Sequence, residues 1–138
     1  MPYKILEHTA DWAVNFSGNN ISQIIESIIS FFNKKIYLSY ENYKDTKELI
    51  FSYENDDLAE VLVDFINDLI YYAEKGIFVK KLTYLKILQN KVIIKVNSTI
   101  VKNFELKIDL KAATYHNLKE IKIDNAYKNI NLTVIFDI

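Results

Sequence analysis

Three short stretches of this chain carry residue types able to do chemistry. The first is His8-Thr9-Ala10-Asp11, directly after an apolar-alternating segment at the N-terminus. An imidazole, a hydroxyl and a carboxylate within four residues suit a polar site, and they equally suit a turn in which Thr9 or Asp11 bonds local backbone. The second is Lys111-Ala112-Ala113-Thr114-Tyr115-His116. Strand alternation places Lys111, Ala113 and Tyr115 on one face and Ala112, Thr114 and His116 on the other. Two alanines among larger polar side chains leave room for something to pack close, and the plainer reading is a strand end with an exposed lysine and histidine. The third is the end of the sequence, Asp137-Ile138. It puts the Asp137 side chain and the Ile138 α-carboxylate within one residue, a half-site for a hard cation that takes oxygen ligands. Chain ends commonly fray, but the apolar Val134-Ile135-Phe136 would hold this one in a sheet. A fourth acidic set, Asp57, Glu60, Asp64 and Asp68, recurs at helical spacing opposite an apolar stripe and reads as a solvated helix face.

The elements that must position these residues follow from periodicity. Ile21, Ile24, Ile25, Ile28, Ile29 and Phe32 predict a helix over about 21–36, with Asn20 as N-cap and Gln23 as its capping-box partner. Leu58, Val61, Leu62, Phe65, Ile66, Leu69 and Tyr72 predict a second over about 58–75, with Asp57 and Glu60 as a capping box and Gly76 at the left-handed C′ position. Strands are expected at 3–6, 13–16, 48–53, 79–88, 92–97, 105–115, 120–123 and 132–136, the fourth and fifth forming a hairpin through Gln89-Asn90-Lys91. Helices interrupting a run of strands indicate an α+β fold, one domain over 1–138, with a mixed, mostly antiparallel sheet and two main helices.

Composition narrows the function further. The chain has 138 residues, half of them hydrophobic and a quarter charged, in the range of ordinary globular domains. All 17 basic residues are lysine, set against 18 acidic ones, for a formal net charge of −1. Near-neutral charge and the missing guanidinium fork argue against a generic DNA or RNA binder. No cysteine is present, so disulfides and thiolate chemistry are excluded. With two glycines the chain holds neither a phosphate loop nor a dinucleotide fingerprint. Two histidines cannot build a multi-histidine metal cluster. No signal-like N-terminus and no apolar span of membrane length are apparent, so a cytoplasmic protein without membrane partners is expected.

Taken in order, these segments resemble the archease family over nearly the whole chain. His8-Thr9-Ala10-Asp11 is similar to the family's N-terminal motif, and Leu62-Val63-Asp64-Phe65-Ile66-Asn67-Asp68-Leu69-Ile70-Tyr71 to its second helix. Lys111–His116 is similar to its K-A-x-T-Y-H strand, and Asp137-Ile138 to its Asp-Ile ending. The family's glycine-marked turn before the K-A-x-T-Y-H strand is absent, Asn97–Asn103 standing there, and 124–131 lacks the tryptophan-bearing context. The resemblance implies a non-catalytic accessory factor. Its partner would be the GTP-dependent tRNA-splicing RNA ligase, whose active-site histidine it helps to guanylylate, allowing multiple turnover. It further implies a divalent-metal site (Ca²⁺, Mg²⁺ or Mn²⁺) at Asp11, Asp137 and the Ile138 carboxylate, with Lys111 as the functional lysine. Three carboxylates at ~4–5 Å repel by a few kcal/mol per pair, so a shared proton or a cation would be needed to hold them. His8, Thr9 and His116 would orient the site, and RNA would be met only through the partner. Two other functions are open on the residues: a general chaperone of RNA-modifying enzymes, and a small metal-dependent phosphoester hydrolase using a water on the Asp11/Asp137 cation.

Overall fold

Asn20 starts the first helix as its side chain dictates. Its Oδ1 accepts from the Gln23 amide at 2.9 Å, and the Gln23 side chain reaches back to the Asn19 amide at 2.8 Å, one residue earlier than the usual reciprocal bond. In this computed structural model, which describes residues 2–6, 11–38, 46–115 and 129–138, that helix is α1, Ile21–Phe31. The expected helix does extend to Ile36, but its last stretch, Phe32–Ile36, is a π-helical turn closed by Tyr37 N–H donating to Phe32 O at 2.9 Å. The widened turn accompanies complete burial of the adjacent pair Phe31 and Phe32, which a regular α-helix turns about 100° apart.

The second helix, α2, runs Leu58–Glu74. Its cap differs from a simple capping box. Asp57 accepts from the Ala59 amide at 3.0 Å, while Asn55 relays the return bond, accepting from Asp57 N–H at 2.9 Å and donating to Glu60. Gly76 closes the helix at φ +76°, as its position predicts.

Seven strands lie among the described residues: β1 (Tyr3–Leu6), β2 (Asp11–Gly18), β3 (Thr46–Tyr53), β4 (Ile77–Leu88), β5 (Lys91–Ile100), β6 (Ala112–Tyr115) and β7 (Ile130–Asp137). They form two sheets, ordered β1-β2-β7-β6 and β3-β5-β4, and every strand pairing among the described residues is antiparallel. The fold is α+β, as expected; the division into two sheets was not legible in the periodicity. Both helices bridge the sheets, α1 touching β2 and β4, α2 touching β6, β4 and β3.

One expected strand is shorter than its alternation suggests. Of 105–115 only Ala112–Tyr115 is strand; Leu106 makes a single bridge to Tyr37, and 107–111 is irregular. Leu110 is nevertheless buried and Leu106 and Ile108 are half-buried. Alternation reports a half-buried extended chain, and this segment spends it crossing from the π-helical turn, where Lys107 N–H donates to Ile36 O at 2.7 Å, to the edge of the first sheet. The expected strand at 120–123 lies outside the described residues.

The core centres on Phe31. Its ring meets Tyr3, Phe16 and Phe32 edge-on at 5.4–5.8 Å, Trp12 at 6.3 Å, and stacks with Phe136 at 5.5 Å. Trp12 and Phe136 are direct cross-strand partners. Each is followed or preceded by an acidic residue, and the core thereby fixes where those acids stand.

Candidate functional site

In β2 and β7 the side chains alternate. Val14 and Phe16, and Leu132, Val134 and Phe136, are buried; Asp11, Asn15, Thr133 and Asp137 lie on the other face. The register aligns Asp11 with Asp137 across the β2–β7 pair, and Ala112 with Asp137 across the β6–β7 pair. Directly opposed residues share a face of the sheet, with Cβ atoms about 4.5–5.5 Å apart. Two carboxylates from sequence positions 126 residues apart (137 − 11) therefore stand side by side on one sheet face at one end. Asp137 is exposed and Asp11 half-buried.

Lys111 joins them through backbone. Its N–H donates to Asp137 O at 2.8 Å, and its side chain is exposed beside the same end. Ile138 follows Asp137 directly and is 51% exposed. Four of the seven residues singled out in the sequence thus converge: Asp11, Lys111, Asp137 and Ile138. The other three, His8, Thr9 and His116, lie outside the described residues. Among the described residues, no three His, Cys, Asp or Glu side chains cluster closely enough to hold a metal ion. Among the described residues, Asp11 and Asp137 supply the two side-chain carboxylates at this end.

Asn67 was not singled out, although it positions one strand of the site. Among the described residues β6 lies at the edge of its sheet, with one row of its backbone groups turned away from β7. From α2, the Asn67 amide fills it: Nδ2 donates to Ala113 O at 3.0 Å, and Oδ1 accepts from Ala113 N–H at 2.9 Å. The side chain acts as one rung of a missing strand, two residues from Lys111. A signal existed in the helix: Val63 and Ile70, four before and three after Asn67, are both buried, so an amide interrupts an apolar row.

The acidic set on α2 is held by structural contacts. Asp57 caps the helix, and Glu60 binds Asn55. Asp68 accepts from Tyr53 OH, and burial of that phenol, then the Asp68 bond and charge, push its pKa far above the usual range. Asp64 is raised, first by partial desolvation and then by Asp68 and Glu60. The solvated-face reading holds for Glu60 and Asp64, whereas Asp68 is half-buried against β3.

The description that matches this chain, over residues 3–138, is the Archease protein family (MTH1598/TM1083). The chain belongs to the archease family. Its fold is similar to the crystal structure of an archease, possible chaperone, from Thermotoga maritima, with TM-score 0.62 and 28% identity over 98% of this chain and 96% of that one. It is also similar to the solution structure of protein 1598 from Methanobacterium thermoautotrophicum, with TM-score 0.66 and 18% identity over 99% and 98% of the two chains. That second likeness speaks for the fold alone. No curated protein matches the chain. No described helix is long and apolar enough to cross a membrane.

Proposed function

We propose that this archease is a non-catalytic activator of a GTP-dependent tRNA-splicing RNA ligase, promoting guanylylation of the ligase histidine and repeated turnover. The observation that carries the reading is the register that aligns Asp11, Asp137 and Ala112 across three strands, with Lys111 bonded to Asp137. It gathers the acidic and basic residues of three separate family motifs at one exposed sheet end.

The residues fit a divalent cation. Asp11, Asp137 and the Ile138 carboxylate make an all-oxygen set, suited to Ca²⁺, Mg²⁺ or Mn²⁺ rather than Zn²⁺. When bound, such an ion supplies positive charge for phosphate oxygens. The chain's own contribution is placement. Trp12 and Phe136, packed on Phe31, hold both aspartates on one face. Asn67 holds the strand that follows Lys111. The Lys111 ammonium, exposed just before β6, is placed to meet a triphosphate in the ligase site, where positioning and charge stabilisation are the main levers of phosphoryl-type transfer.

The test is guanylylation of the cognate ligase with GTP and Mn²⁺ at catalytic amounts of this protein. Wild type stimulates; Asp11→Ala with Asp137→Ala, and separately Lys111→Ala, do not. Full stimulation by the double aspartate variant overturns the carboxylate site, and no stimulation by wild type overturns the function. A peptide tag after Ile138 converts its carboxylate to an amide and weakens metal binding, whereas an N-terminal tag leaves it unchanged. Equal affinities in the two tagged proteins remove Ile138 from the ligand set. A general chaperone, as the Thermotoga maritima structure is described, would protect unrelated enzymes and retain that effect in the aspartate variants.

A further inference from the structure

The β3-β5-β4 sheet has two unlike faces. On one, Phe51, Ile94 and Val96 are buried, and the Phe51 ring meets Phe65 of α2 edge-on at 5.5 Å. The other face turns away from that helix. Each of its four successive β4–β5 pairs carries one lysine: Lys81, Lys95, Lys86 and Lys91 in turn. Large apolar side chains stand open between them, Ile50 at 60% and Tyr84 at 43% exposure. Along β3 the same face adds Glu48 and Ser52, and Asn97 lies between Glu48 and Lys81; all three are exposed.

An irregularity in β4 completes this arrangement. In a regular strand Leu82 and Tyr84 would share a face. The β4–β5 register shifts between them, so Leu82 pairs with buried Val96 while Tyr84 pairs with Lys95 on the outer face. Bulges re-aim side chains in this way. The Lys95 ammonium lies 4.8 Å from the Tyr84 ring centre, so a cation and an exposed ring stand together.

The net charge of −1 averages over the whole surface, whereas on this face four lysines meet one acid, Glu48. Successive pairs repeat about every 7 Å along the sheet, so single positive charges recur at a regular interval. A polymer with one negative charge per unit matches that row. Lysine acts on phosphate as a point charge, without the planar fork that reads base edges, and so follows a backbone. An exposed aromatic ring within a basic surface is the stacking platform of single-strand binding. Exposed Ser52, Asn97 and Glu48 beside the row offer partners to a 2′-hydroxyl, which both donates and accepts.

We propose that this face binds single-stranded RNA, with phosphates along the lysine row, a base against Tyr84 and 2′-hydroxyls toward β3. An acidic protein segment would match the charge but leave the ring and the regular spacing unused. The proposal goes beyond ligase activation: RNA is met directly, and the test needs no ligase.

The test is fluorescence anisotropy of a labelled oligouridylate about a dozen nucleotides long, titrated with the full chain, beside the matching oligodeoxyuridylate and an aspartate oligomer. The RNA binds saturably, with Kd below about 100 µM in about 50 mM salt. Engagement of about four phosphates gives log K a slope of about −3 on log salt. Lys81→Gln with Lys86→Gln weakens binding at least about tenfold and makes the slope shallower by about 1.4. Tyr84→Ala weakens it at least about fivefold at an unchanged slope, as loss of stacking without loss of charge requires. Lys4→Gln with Lys35→Gln, outside this sheet, changes affinity by less than about twofold. Amide shifts at Ile50, Tyr84 and Lys95 accompany binding. No saturable binding of the oligouridylate, or undiminished affinity in the Lys81→Gln, Lys86→Gln variant, overturns the proposal. So does an equal loss in the Lys4→Gln, Lys35→Gln variant, since net charge alone would then be acting. Equal affinity for the deoxy strand or the aspartate oligomer overturns it too, naming DNA or an acidic protein as the occupant.

Discussion

Replacing Asn67 should reveal how much of the site depends on one amide. In the folded protein this side chain makes two bonds to one residue, to Ala113 O at 3.0 Å and from Ala113 N–H at 2.9 Å. Each neutral bond contributes about 0.5–1.5 kcal/mol net, and a backbone group stranded away from water costs about 1–3 kcal/mol. Ala113 is buried, and an isosteric Leu at 67 shields it from solvent. Asn67→Leu should therefore destabilise by about 2–4 kcal/mol. Asn67→Ala should lose about 1–2 kcal/mol, because water can enter and bond both groups. Asn67→Asp keeps the acceptor for Ala113 N–H but faces Ala113 O with no donor, and should fall near Asn67→Leu. The assay is urea unfolding with a shifted midpoint at constant slope, paired with hydrogen exchange at the Ala113 amide. Under native conditions that amide should lose protection in Asn67→Ala while the β2–β7 amides keep theirs. An unshifted midpoint in Asn67→Leu, or undiminished Ala113 protection in Asn67→Ala, would refute the reasoning that this side chain substitutes for an edge strand.

Three further perturbations have defined outcomes. Tyr37 is buried, stacks on Phe78 at 4.2 Å and accepts from the buried Val79 N–H at 3.1 Å, so Tyr37→Phe should cost about 1–3 kcal/mol in urea unfolding; a loss under 0.5 kcal/mol would mean that another group takes that proton. Gly76 adopts φ +76°, and a Cβ there would stand 2.6 Å from the Phe104 ring and 2.7 Å from Val101 O, so Gly76→Ala should lose more than the ~1–2 kcal/mol of the left-handed conformation alone, read as a thermal midpoint. The Asp64 carboxyl is raised by desolvation, Asp68 and Glu60, so the unfolded chain releases its proton first and stability falls as pH rises from 3.8 through the raised folded value. Asp64→Asn should flatten that fall as the pH rises from 3.8, with the unfolding midpoint as readout; identical pH profiles for the two proteins would count against the shift.

The pattern along the chain determined much of this protein by itself. Apolar spacing located both helices, because burial of one helical face repeats every three to four residues whatever lies against it. The starting residues Asn20 and Asp57, and Gly76 as terminator, were legible because caps and left-handed turns are local chemistry. Asp11, Lys111 and Asp137 stood out for their types and their place in recurring motifs. Tertiary structure decided what these residues do to one another. Asp11 and Asp137 are neighbours because Trp12 and Phe136 pair against Phe31, a long-range contact that no window of sequence contains. The segment 105–111 alternates like a strand yet pairs almost nowhere, because alternation records burial on one side and is silent about a hydrogen-bonded partner. The π-helical turn and the register shifts of β4 were invisible for the same reason: each exists only where two elements meet and must share their backbone bonds. Asn67 makes the contrast sharpest, since a polar residue in an apolar row acquires its role only when an edge strand is brought against it.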